Sequence, residues 1–174
     1  MFKEHPMTFP KPSPPAYSAV QIWLHWGIAL LIGSQFVLNG PIGKAWRALS
    51  RGQGADISST VLLHVYVGIA VLVLVLWRLA LRVRRGVPDA PESETRAMQM
   101  AGHLGHLGPY GLMIFVPISG MMAWYGGIGL AANIHQTATT FVIVLVGLHV
   151  AAALYHHFWL KDGLLFRMKR RKTR

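Results

Sequence analysis

The chain has 174 residues, of which 53% are apolar and only 13% charged, yet its formal net charge is +11 and its mean hydropathy +0.40. So few charges cannot clothe a soluble basic domain, and the apolar content excludes disorder. The absence of cysteine excludes a disulfide scaffold, thiolate zinc sites, iron–sulfur clusters and covalently attached c-type haem.

What remains is a small integral membrane protein, and the chain divides accordingly. Residues 1–17 carry Pro6, Pro10, Pro12, Pro14 and Pro15 and are expected to form an extended arm. The arm does not read as a signal peptide, because Glu4 falls in the would-be charged start and no small-residue cleavage site follows the first apolar run. The first apolar stretch runs over 18–38. A loop with Lys44, Arg47 and Arg51 follows, then a second stretch over 60–81. The third covers 104–124, with Pro109 at its start and Pro117 inside, where a kink is expected. A short link over 125–133 leads to the fourth, 134–159, and a basic tail occupies 160–174. Each stretch reaches the ~20 residues that cross a bilayer as a helix, and none alternates with period two as a barrel strand would. The expected fold is all-α: a membrane four-helix bundle over 18–159, with Gly and Ala permitting close approach.

The cations orient the bundle. Lys3 and Lys11 lie in the arm. Arg78, Arg82, Arg84, Arg85 and Arg96 flank the loop between the second and third spans. Lys161, Arg167, Lys169, Arg170, Arg171, Lys172 and Arg174 lie in the tail. That places fourteen of seventeen on one side, so both termini are expected in the cytoplasm. The tail follows directly on a membrane helix. It reads as an orientation signal and a contact for anionic lipid, with no nucleic-acid partner expected.

Of nine histidines, seven fall inside the predicted spans, where an ionisable group is expensive and a functional candidate. His135 and His149 are fourteen residues apart on the fourth span. On a helix they point within roughly 40° of each other, roughly 21 Å apart along the axis. His64 matches the depth of His135, and His25 is nearer that of His149. Two matched pairs suggest two stacked planar groups, and haem b fits best: it needs no cysteine and takes one imidazole on each face of its iron. Gly68 near His64 and Gly27 near His25 leave room for a porphyrin edge. His156, seven residues beyond His149, is nearly in line with it, so on depth alone either could pair with His25. His103 and His106 could share a helix face as zinc ligands, but no spaced carboxylate accompanies them. A histidine-based metal or proton transporter is a further alternative, and it predicts no haem.

Several segments together resemble the bacterial di-haem cytochrome b561 family, including its membrane superoxide oxidases. They are Gln21-Ile22-Trp23-Leu24-His25-Trp26, His64 with Gly68, Arg78-Leu79-Ala80-Leu81-Arg82, and His103-Leu104-Gly105-His106. The last and most specific is the run Gly147-Leu148-His149-Val150-Ala151-Ala152-Ala153-Leu154-Tyr155-His156-His157-Phe158, followed by Lys161-Asp162-Gly163 and Arg167-Met168. The resemblance spans about 17–168. It implies a bacterial inner-membrane protein in which His25 and His149 hold a cytoplasmic-side haem, and His64 and His135 a periplasmic-side haem. It also implies that superoxide is the electron donor and ubiquinone the acceptor. An electron relay serving a partner redox protein, such as a dehydrogenase or hydrogenase, is the alternative within the same chemistry.

The residues add two expectations. Lys44, Arg47 and Arg51 share a face at helical spacing, with Trp46 and Leu49 free to meet the membrane, so the loop could gather an anion such as superoxide. At the other side, His156 first and His106 second are candidates to give a quinone carbonyl a hydrogen bond or a proton. His103, His157, Tyr155 and Trp159 lie nearby in the sequence. Arg78 is a candidate partner for a haem propionate or for the lipid interface.

Overall fold

The computed structural model describes residues 16–88 and 96–168; within it the side chains of 96–99, 101–104, 106, 164 and 167 are not described. Of the expected arm (1–17) only residues 16 and 17 are described, and of the expected basic tail (160–174) residues 160–168; the rest of both lies outside the described residues. The regular structure of the described residues is entirely helical: α1 (Ala19–Val37), α2 (Asn39–Ser50), α3 (Ser59–Arg85), α4 (Arg96–Gly126), α5 (Gly129–Tyr155), a π-helical turn (His156–Leu160) and α6 (Leu164–Arg167). Four segments are long and apolar enough to cross a membrane: Ala19–Val37, Ser59–Arg85, Leu107–Gly126 and Gly129–Leu160. They form an all-α four-helix bundle. An even number of spans brings both described chain ends to one end of the bundle, here called the terminal end; α2 lies at the other.

Local chemistry sets the boundaries. Ser18 caps α1: its hydroxyl accepts from the Gln21 N–H at 3.3 Å, and the Gln21 side-chain oxygen accepts from the Ser18 N–H at 3.0 Å. The same Gln21 side chain donates to the Gly86 carbonyl at 3.4 Å, and the Arg78 guanidinium donates to the Gln21 carbonyl. The start of α1 is thus tied to the end of α3. Arg82, Arg84 and Arg85 occupy the last turn of α3, where cations meet the negative end of the helix dipole.

Two expectations about the third and fourth spans are corrected. The helix expected from 104 begins at Arg96, so Pro109 lies inside α4 along with Pro117 instead of starting it. A membrane helix tolerates such prolines because neighbouring helices can satisfy the freed carbonyls. The link expected over 125–133 shrinks to Gly127 and Ile128, with α5 starting at Gly129. Gly127 has φ +65°, a conformation that glycine adopts without a steric penalty, and this allows the immediate reversal.

The helices pack in the order α1–α3–α4–α5. Leu24 and Ile28 of α1, Val71 and Val75 of α3 and Tyr110 of α4 form a buried cluster. Along α4 and α5, Ser119, Ala123, Ala131 and Ala138 are buried, small residues that let two membrane helices approach closely. Large apolar residues such as Leu30, Val73, Phe141 and Leu148 face outward, as a surface solvated by lipid chains requires.

Candidate functional site

Near the α2 end, His64 of α3 faces His135 of α5, with ring centroids 6.4 Å apart and ring planes at 76°. The His135 ring is held firmly. Its Nδ1–H donates to the Val116 carbonyl of α4 at 2.8 Å, a carbonyl that also accepts from the Ser119 hydroxyl at 2.8 Å. A carbonyl can only accept, so the proton is on Nδ1 and the Nε2 lone pair is left for another partner. Gly120, one turn along α4 from Val116, lies against the same ring: a Cβ there would meet His135 Cε1 at 2.9 Å and Nδ1 at 3.0 Å. Opposite, Nδ1 of His64 is buried and has no hydrogen-bond partner among the described residues. At Gly68, one turn from His64, an added Cβ would meet only the Gln35 side-chain oxygen, at 4.0 Å.

Toward the terminal end, His25 of α1 faces His149 of α5 with ring centroids 6.1 Å apart and planes at 60°. Trp26 meets His25 edge-on, with ring centroids 5.3 Å apart. His25 is half-buried and His149 exposed, an imidazole on the outside of an otherwise apolar stretch of helix. At Gly27 an added Cβ would meet nothing within 4 Å.

Both pairs fit a bis-imidazole metal site. A metal–imidazole bond is about 2 Å and a ring nitrogen lies about 1.1 Å from its ring centre, so trans ligands on one ion have centroids about 6 Å apart. Two donors per site are too few for structural zinc but suit a haem iron, whose porphyrin supplies the remaining ligands. Among the described residues no group of three or more His, Asp or Glu gathers as a metal site. The buried, unpaired His64 nitrogen, the fixed His135 tautomer and the space beside Gly27 all suit haem. His149, and not His156, is the residue of α5 that faces His25.

The remaining sequence-predicted residues fall into two groups. Lys44 and Arg47 lie on α2 and Arg51 caps its end, all three exposed at the same end as His64 and His135. On this helix Ala45 is buried, Trp46 half-buried and Leu49 exposed. At the terminal end His156 opens the π-helical turn, and its Nδ1–H donates to Asp162 Oδ2 at 2.5 Å. His103 and His106 fall in the early turns of α4, and their side chains lie outside the described part of the structure. Arg78 lines a small cavity with Tyr17, Gln21, Arg82, Val87 and Tyr110.

Sequence reasoning missed Val116, Gly120 and Asp162. The first two act across a helix–helix interface whose register no single-helix pattern reveals. For Asp162 there was a signal: it is the single acidic residue after Glu94 in a strongly basic chain.

The comparisons with known proteins agree with this geometry. A family model described as prokaryotic cytochrome b561 matches residues 16–171. A cytochrome b562 of Cereibacter sphaeroides is 38% identical, the alignment covering 90% of this chain and 96% of the relative. A cytochrome b561 homolog of Escherichia coli is 30% identical, over 90% of this chain and 98% of the relative. A probable superoxide oxidase of Yersinia pestis is 27% identical, over 90% and 97%.

Proposed function

The chain belongs to the prokaryotic cytochrome b561 family, whose members are membrane proteins that bind haem b, and from that premise we propose that it carries electrons from superoxide to ubiquinone through two bis-histidine haems. The observation that carries the reading is the facing of His64 with His135 and of His25 with His149, fourteen residues apart along α5. The likeness to a probable superoxide oxidase supports the donor.

Haem supplies the one-electron chemistry when bound. The protein's own residues do the rest. His64 and His135 hold one group near the α2 end, and the Val116 carbonyl and Gly120 fix the plane in which the His135 imidazole can bond. His25 and His149 hold the second near the terminal end. The concentration of cations at the terminal end supports a cytoplasmic location for it, which turns α2 toward the periplasm. There Lys44, Arg47 and Arg51 draw a small anion to the bundle from solution. At the cytoplasmic end His156, with His106 as a second candidate, meets the quinone carbonyl and supplies the proton that its reduction requires.

The test is superoxide-driven reduction of ubiquinone by the purified, haem-loaded chain in liposomes. The reading predicts quinol formation that needs no added protein. Reduction of the haems by superoxide without quinol formation until a redox partner is supplied would instead favour the relay role.

A further inference from the structure

Asp162 stands out at the terminal end. It follows Lys161 and is flanked by the basic tail, yet its side chain is 7% exposed and hydrogen-bonded to His156, itself 18% exposed, at 2.5 Å. A buried carboxylate at the edge of a membrane helix is costly unless its placement serves a purpose. The backbone is bent to achieve that placement. The α-helix widens to a π-helical turn at His156–Leu160, an arrangement frequent at functional sites. Lys161 then takes φ +52°, the single positive φ of a non-glycine residue among the described residues, and Gly163 takes φ +74°. These two left-handed residues fold Asp162 back over the turn it has just left.

Beside the pair, the rings of Tyr155 and Trp159 stack at 6.4 Å and 15°, and both are exposed. Tyr155 also meets His156 edge-on at 6.2 Å. A flat apolar headgroup entering from the bilayer would find an aromatic wall with one imidazole beside it.

We infer that Asp162 is a positioning residue for proton delivery to the quinone: it holds Nδ1 of His156 and commits Nε2 to the substrate carbonyl. The inference rests on the quinone reading of His156 given above. The balance is simple. Two superoxide ions each lose one electron and leave as dioxygen. The quinone gains the two electrons and two protons, an O–H bond forming at each carbonyl oxygen. Each proton leaves Nε2 of the doubly protonated ring in turn and is replaced from the cytoplasmic water. Asp162 stays ionised throughout, with no bond to it made or broken, and balances the charge the ring carries while both nitrogens are protonated.

The experiment compares Asp162→Asn, Asp162→Glu and His156→Ala with the parent chain, all haem-loaded in liposomes with ubiquinone. For Asp162→Asn the expected result is an unchanged haem spectrum, unchanged haem reduction by superoxide, and a kcat for quinol formation about tenfold lower or more, with KM for quinone little altered. Asp162→Glu should recover much of kcat. If His156→Ala slows quinol formation and Asp162→Asn does not, the role of Asp162 is overturned while the quinone reading stands. If neither variant slows it, the quinone reading itself falls. A raised KM with normal kcat, or loss of haem in both Asp162 variants, would mean that Asp162 only shapes the turn.

Discussion

His135 and His149 look the same way from one helix, yet their surroundings differ. His135 is wedged: a carbonyl holds its Nδ1, and Gly120 of α4 lies so near that a Cβ there would push the ring aside. His149 is exposed on α5 and His25 opposite it is half-buried, while Gly27 beside His25 and Gly68 beside His64 both leave open the space that suits a haem. The first pair lies at the end of the bundle that carries the exposed cations Lys44, Arg47 and Arg51. The second lies near a hydrogen-bonded His–Asp pair and an aromatic stack that faces lipid. A site that receives electrons one at a time from a small anion gains from rigidity, because a fixed ligand geometry lowers the reorganisation each transfer needs. A site that passes electrons to a bulky membrane substrate needs access and a proton source. On the proposed function the α2 end takes the first role and the terminal end the second.

Substitutions at the histidines separate the two ends most sharply. His135→Ala should abolish superoxide-driven quinol formation by removing the receiving centre. His149→Ala should abolish it too, while superoxide still reduces the haem that remains. Stopped-flow absorbance at the haem bands separates the two, and identical behaviour of both variants would end the division of labour.

Gly120→Ala comes next. Overpacking against His135 should cost about 1–3 kcal/mol, felt as reduced haem occupancy at the α2 end and a lower Tm, with the other haem unperturbed. Replacing Lys44, Arg47 and Arg51 together by glutamine should slow superoxide oxidation about tenfold at low ionic strength, the difference shrinking as salt is added. A rate that ignores both charge and salt would remove steering from the account. Smallest is Ser18→Ala, which deletes the α1 cap at the terminal end. Thermal unfolding should show a loss of about 1 kcal/mol, with neither haem displaced.

Much of this was legible in the sequence, for identifiable reasons. Spans announce themselves by length and hydropathy. Helical rise alone matches His64 with His135 and leaves His25 to either His149 or His156; it was the family resemblance that pointed to His149. The α2 segment declared itself through the spacing of Lys44, Arg47 and Arg51. What stayed hidden depends on the approach of one element to another. The contact of Gly120 with His135 is a matter of register between α4 and α5. The return of Asp162 to His156 depends on a left-handed lysine and a π-helical turn, both of which break the periodicity that sequence reading relies on. The two-residue link after α4 was hidden because Gly129–Asn133 is a weakly patterned start to a helix.

One chain is proposed to hold two haems, each between a pair of histidines at its own end of the bundle. Haem-to-protein stoichiometry of the purified full chain tests it most directly, with His135→Ala and His149→Ala measured alongside. The expected result is two haems b in the parent chain and one in each variant. A single haem in the parent, or a histidine variant that keeps both, would contradict it.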